Sequence, residues 1–252
     1  MQDPKISLIT VSFNAQASIS QCIASVIGQT FKNYEYIIID GASTDNTINI
    51  IKKYEADISV LVSEPDNGIY DAINKGIRLA KGDIIGILNA DDFFADSNAL
   101  GLVAEAFAQT NAEIVYADLD YINPDEKIIR KWRSGKYKTG KFNWGWMPPH
   151  PTFYCKRNLF EKYGYYSLEY GTAADYELML RFIHRFKIDP FYIKKVTIKM
   201  KTGGVSNKSF GNRVKGLSFD FKAMRRNGIL LPALTIILKP LSKISQYFSQ
   251  GN

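Results

Sequence analysis

Ile6-Ser7-Leu8-Ile9-Thr10-Val11 is a short, apolar, β-branched run that leads into Ser12-Phe13-Asn14. Such a run reads as a strand buried on both faces. The same pattern returns three times. Residues 34–39 end at Asp40, residues 58–62 at Glu64-Pro65-Asp66-Asn67-Gly68, and residues 83–88 at Asn89-Ala90-Asp91-Asp92. Between these runs the spacing predicts helices over 18–28, 44–54 and 70–80, and a further one over 99–110 before an apolar run at 114–116. Ser18 is a natural N-cap for the first helix and Gly28 a natural stop. Strands alternating with helices specify an α/β fold with a mostly parallel sheet and helices on both faces.

After residue 117 the alternation breaks. Asn123-Pro124-Asp125 reads as a turn between short strands. Residues 131–149 are aromatic and basic without a clear period, as expected of a flap over a site. A strand over 152–155, helices over 157–163 and 174–186, and a strand over 196–200 follow. Thr202-Gly203-Gly204-Val205-Ser206 then reads either as a simple turn or as a loop whose amides can approach a phosphate.

The composition, 46% hydrophobic and 23% charged over 252 residues, excludes disordered and low-complexity classes. Two cysteines, Cys22 and Cys155, make no disulfide scaffold and suit a reducing compartment. Residues 1–13 lack a basic region followed by a long apolar stretch, so no secretory signal is read there and a cytoplasmic location is expected. Charge is unevenly spread. Residues 194–252 hold twelve Lys or Arg against one acid, Asp220, a net +11 that leaves −4 on the remainder of a chain whose total is +7.

In open α/β sheets ligands sit beyond the carboxyl ends of the strands, where Asp40, Asp66, Asp91 and Asp92 are expected to converge. Asp45 and Asp96 are explained as caps. Asp91 and Asp92 are not, because adjacent carboxylates repel unless a cation or hydrogen bonds compensate them. Such a pair suits a hard divalent ion, Mn²⁺ or Mg²⁺, sharing substrate phosphates. A P-loop and the G-x-G-x-x-G dinucleotide fingerprint are both absent from the sequence. The crevice therefore suits a metal-bound nucleoside diphosphate.

Five segments in order resemble family 2 glycosyltransferases over residues 5–206. They are the opening strand through Asn14, Asp40-Gly41-Ala42-Ser43-Thr44-Asp45, Asp66 to Gly76, Asn89-Ala90-Asp91-Asp92, and Ala174-Asp175-Tyr176-Glu177. The resemblance implies a GT-A fold, a nucleotide-sugar donor and inversion at the anomeric carbon. It implies donor contacts from Thr10, Ser12, Asn14, Asp40, Asp66, Lys75, Asn89 and Ala90. Asp91 is implied as both donor contact and metal ligand, with Asp92 beside it. Asn89 stands where the family's DXD motif begins with Asp, which lowers the negative charge of the turn. Asp175 is the implied general base, since the acceptor hydroxyl must lose a proton opposite the departing diphosphate. Glu177 is its alternative. His150, boxed by prolines, is a candidate metal ligand or a contact to acceptor or donor. His184 reads as structural, and Trp132, Trp144 and Trp146 read as either sugar-stacking or packing residues.

The expected organisation is a 1–206 glycosyltransferase domain, with a donor half over 1–117 and an acceptor half over 118–206, and a basic tail over 207–252. The apolar stretch 229–238 is too short to span a bilayer and carries Pro232. It is read as lying on an anionic membrane surface on the cytoplasmic side, or as packing against the domain or a second subunit in a homodimer. Lipid-linked saccharide acceptors, carried on polyprenyl diphosphate in surface-polysaccharide synthesis, agree with the membrane reading. Nucleic acid is not expected as a partner. Two competing functions remain at this point. One is a sugar-phosphate nucleotidyltransferase, against which Val11-Ser12-Phe13-Asn14 lacks a basic glycine-rich loop. The other is a degenerate scaffold, favoured only by Asn89.

Overall fold

The computed structural model describes residues 4–201, 210–243 and 246. The loop over 202–206 lies outside the described residues. Four strands, β1 (Ile6–Ser12), β2 (Tyr34–Asp40), β3 (Val60–Ser63) and β4 (Ile84–Ile87), run parallel in the spatial order β3-β2-β1-β4. All seven residues of β1 are buried, as an apolar run covered on both faces requires. Helix α1 (Ile19–Ile27) buries Ile19, Cys22, Ile23 and Val26, the i, i+3, i+4, i+7 stripe. Helices α2 (Thr47–Lys52) and α3 (Ile69–Leu79) complete the crossovers. A Cβ on Gly76 of α3 would sit 2.5 Å from Ile9 Cγ2, so glycine there lets the helix lie close on the sheet. The chain winds from β1 outward to β2 and β3, then returns to β4 on the other side of β1. That reversal opens a crevice beyond the carboxyl ends of β1 and β4.

The second half of the sheet is mixed. Its strands are β5 (Asp92–Phe94), β6 (Ile114–Ile122), β7 (Ile128–Trp132), β8 (Tyr154–Lys156) and β9 (Phe191–Lys201). The order continues β8-β6-β9-β5, with β7 on β6; β8 is antiparallel to β4 and β6, while β9 is parallel to β6. The mostly parallel expectation thus describes the first half only, because residue periodicity carries no strand direction. Strand β5 has three residues and follows the acidic turn at once, which hid it from a period-two reading. Helices α4 (Ala99–Gln109), α5 (Asn158–Tyr163) and α6 (Ala174–Met179) fall near the expected positions. The helix expected over 174–186 is α6 followed by one wide π turn, Leu180–Arg185.

Helices α7 (Phe210–Arg226) and α8 (Pro232–Leu241) are not a separate appendage. Ala223 and Met224 are fully buried. Thr235 Oγ1 donates to Asn143 O at 2.8 Å, and a Cβ on Gly145 would meet the Lys239 backbone at 2.5 Å. The expected boundary at 206 therefore cuts through one packed body. The apolar stretch has two uses that composition does not distinguish: one side of α8 seats on the 140–145 loop, and the other is left bare.

Glu177 ties this arrangement together. Its buried carboxylate pairs with Arg181 at 3.0 Å and accepts from Asn227 Nδ2 at 3.2 Å. Arg181 also donates to the carbonyls of Gly164 and Tyr165, after α5. Removing one member of a buried pair leaves the other charge uncompensated. Glu177→Ala is expected to lower the unfolding free energy by about 3–5 kcal/mol in urea titration. A loss below about 1 kcal/mol, the scale of an exposed pair, would mean that the carbonyls alone compensate Arg181.

Candidate active site

Asp40 ends β2 with no exposed surface. Its Oδ1 accepts from Ser12 Oγ at 3.0 Å and from Ser43 Oγ at 2.5 Å. Its Oδ2 accepts from the Ser43 amide at 2.8 Å and from Ser63 Oγ at 2.9 Å. One carboxylate thus joins the ends of β1, β2 and β3, with about four lone-pair positions engaged. A donor contact to Asp40 has to displace one of these hydroxyls. Asn14 holds the same loop from the β1 side. Its φ of 49° lies in the left-handed region that Asn tolerates, its Oδ1 accepts from the Thr44 amide at 2.9 Å, and its own amide donates to Ser43 Oγ.

Asp66 Oδ1 accepts from the Gly68 amide at 2.8 Å, and its Oδ2 hangs over Gly41, where a Cβ would come within 2.5 Å. Lys75 fastens that loop through Glu64 at 2.8 Å and the Pro65 carbonyl. Phe13, 65% exposed, stands beside Gly41. The sequence reading passed over it; its signal was a large aromatic between two polar residues at a strand end. Thr10 is a correction. It is fully buried and its hydroxyl accepts from Tyr36 OH at 3.0 Å, so it belongs to the core below the crevice.

Asn89 to Asp92 form a tight turn closed by the Asp92 amide donating to Asn89 O at 3.0 Å. Asn89 Nδ2 donates to Asp92 Oδ2 at 3.1 Å. Two buried oxygens of this turn have no partner among the described residues, Asn89 Oδ1 and Asp92 Oδ1. Burial raises the pKa of Asp91, partly opposed by Lys201, and burial with the Asp91 charge pushes that of Asp92 well up. Unpartnered acceptor oxygens beside two desolvated carboxylates fit a hard cation. Ala90 is buried at the apex and offers only backbone.

His150 does not join this turn. Among the described residues no three His, Cys, Asp or Glu side chains are grouped to hold a metal. His150 Nε2 instead shares a hydrogen bond with Tyr166 OH at 2.9 Å, and its ring meets Tyr166 edge-on. Burial lowers its pKa, while the Asp175 charge opposes that.

Asp175 opens α6 and is partly exposed. Gly171 before it takes φ 45°, ψ −125°, and a Cβ there would overlap the Phe219 ring of α7. Helix α7 therefore shapes the approach to Asp175. Burial and the Asp175 charge together hold the pKa of Tyr70 well above the usual phenol range. Asp175, Tyr70, His150 and Asn89 all line one cleft of about 660 Å³, whose far wall is α7 and α8. Glu177, two residues on, is buried in its Arg181 pair and does not line it. Trp132 lines the cleft, Trp146 packs on Phe142 and Tyr137, and Trp144 lies exposed. His184 faces the Gly228 carbonyl, as a structural residue does.

An uncharacterized glycosyltransferase of Mycobacterium tuberculosis is 29% identical over 214 residues, spanning 81% of this chain and 78% of its own length. The UDP-Glc:alpha-D-GlcNAc-diphosphoundecaprenol beta-1,3-glucosyltransferase WfgD of Escherichia coli is 32% identical over 133 residues, 52% of each chain. Among solved structures, the mannosyltransferase PcManGT of Pyrobaculum calidifontis, in complex with GDP-Man and Mn²⁺, superposes with a TM-score of 0.69. It covers 100% of this chain and 77% of its own at 16% identity, a likeness of fold alone, and that fold is GT-A. The profile of Glycosyl transferase family 2 matches residues 7–167. The match takes in the ends of all four parallel strands and more than half the chain, which removes the nucleotidyltransferase alternative: the chain belongs to glycosyl transferase family 2.

Proposed function

We propose that the protein transfers a sugar from a UDP-sugar to a saccharide carried on a lipid diphosphate, with inversion at the anomeric carbon. The observation that carries this reading is a single cleft lined both by Asn89, the first residue of the acidic turn, and by Asp175. The uridine lies in the crevice of Ser12, Asn14, Asp40 and Asp66, with Phe13 available to stack on the base. Asp91 and Asp92 would hold Mn²⁺ or Mg²⁺, which when bound offsets the charge developing on the leaving diphosphate. Asp175, at the first turn of α6 and facing the cleft, takes the proton from the attacking hydroxyl. His150, bonded to Tyr166, orients the acceptor side of the cleft. The UDP and lipid-diphosphate specificities follow the Escherichia coli relative.

The acceptor reading is supported by an exposed apolar face. Leu234, Ile237 and Leu241 repeat at helical spacing along α8, Leu230 before them is 80% exposed, and Trp144, Lys138 and Lys141 lie alongside. Among the described residues no helix is long and apolar enough to cross a membrane. A short helix with such a face lies in the interface of an anionic bilayer, here the inner face of the cytoplasmic membrane.

Incubation with a panel of nucleotide-sugars and Mn²⁺, read as free nucleotide, is expected to show UDP release. Asp175→Asn should keep UDP-sugar affinity and lose at least about 10²-fold in turnover. Turnover of GDP- or dTDP-sugars alone would overturn the donor reading, and wild-type turnover in the variant would move the base elsewhere.

On anionic vesicles the protein should co-sediment and be partly released as salt rises, because screening weakens the basic contacts but not the apolar ones. Leu230→Glu with Ile237→Glu should abolish the salt-resistant part. A salt-independent dimer by light scattering that fails to bind vesicles would assign this face to a second subunit.

A further inference from the structure

The far wall of the cleft contains a cation that the sugar-transfer chemistry described so far does not use. Lys243 follows α8, and its ammonium lies 5.1 Å from the centre of the Trp132 ring. Among the described residues no carboxylate lies within ion-pair distance of it. Its charged surroundings come from four elements: Lys239 on α8, Arg130 on β7, Asp220 on α7 and Asp175 on α6. Asp220 is already engaged by Lys239, with both carboxylate oxygens at 2.8 Å. Arg130 is fixed against Gln246 Oε1 and lies over the stacked rings of Tyr121 and Trp132. Two like charges therefore face Lys243 at close quarters. A largely buried cation in that position is costly unless an anion enters the cleft.

We infer that Lys243, with Arg130 and Lys239, forms a subsite in the cleft wall that binds the diphosphate of the acceptor. The inference rests on the proposed lipid-diphosphate acceptor and locates that group. Three further observations agree with it. Lys243 and Asp175 line the same cleft and Lys243 feels the Asp175 charge, so a phosphate held there shares the cleft with the proposed base. Trp132 and Tyr121, over which Arg130 lies, line the same cleft and hold that cation at its wall. The opposite side of α8 carries the bare Leu234, Ile237 and Leu241 face, so a lipid chain leaving the diphosphate reaches the surface proposed to meet the membrane. Burial and the two neighbouring cations lower the Lys243 pKa to about 8. The sign follows directly. The ammonium is charged below that pH and binds an anion there; it loses the charge as pH rises through about 8.

The test uses the full chain and inorganic pyrophosphate as the probe. It is titrated calorimetrically with UDP and Mg²⁺ both in excess, so that the donor's own diphosphate position is filled. Wild type should bind it, and Lys243→Gln should lose at least about tenfold in affinity, the scale of a charge-assisted hydrogen bond. Lys243→Arg should bind at neutral pH and hold its affinity above pH 8, where wild type falls away. The ratio of the two proteins is read, so pyrophosphate's own ionisation cancels. UDP affinity measured separately should be the same in all three. Loss of UDP binding in wild type would count against the donor reading, whereas UDP binding with no pyrophosphate binding would overturn the subsite alone. Anionic vesicles supply the second source of phosphate. Vesicle binding reduced in Lys243→Gln, with pyrophosphate binding intact, would assign Lys243 to lipid headgroups and overturn the acceptor subsite.

Discussion

The carboxylate of Asp40 is the point from which the crevice at the ends of the parallel strands hangs. A buried charge is tolerated only where donors surround it, and here the donors come from the ends of three neighbouring strands. Ser12, Ser43 and Ser63 are far apart in the chain and share that one task. Once they are gathered, the loop after β2 is held down, Asn14 can lock it from the side, and Gly41 leaves room for Asp66 to close over it. The crevice is thus a consequence of satisfying one buried group.

The other side of the cleft is built differently. Asp175 stands at the start of a six-residue helix, and what holds that helix comes from remote parts of the chain. Glu177 and Asp175 are two residues apart and roughly 200° apart around the helix axis. One is buried against Arg181 and Asn227; the other opens on the cleft. The same helix turn that fixes α6 in the core therefore presents Asp175. Helices α7 and α8 then close the cleft. The basic C-terminal segment lines the cleft on one side and leaves an apolar face on the other. The wide turn after α6 ends the helix early, at a position where the 3.6-residue pattern continues unbroken in the sequence.

What the amino-acid sequence determined by itself is local. Apolar runs with polar ends, helix stripes and tight-turn residues depend on neighbours within a few positions, so the four parallel strands, their crossovers and the acidic turn were legible, as was the family to which they belong. The roles that tertiary structure alone decided depend on groups far away in the chain. Thr10 reads as one of several polar residues at a strand end, and it is Tyr36, on the neighbouring strand, that makes it core. His150 has the chemistry of a ligand, and it is Tyr166 that engages its Nε2. The stretch 229–238 has the composition of either a packed or a bare helix, and it became both because only the 140–145 loop specifies which side is covered. Lys243 was one of twelve basic residues in a charge count. Its place beside Lys239 and Arg130, with no carboxylate of the described residues within ion-pair distance, arises only when β7, α7 and α8 meet, because electrostatic compensation depends on distance in space and not on order in the chain.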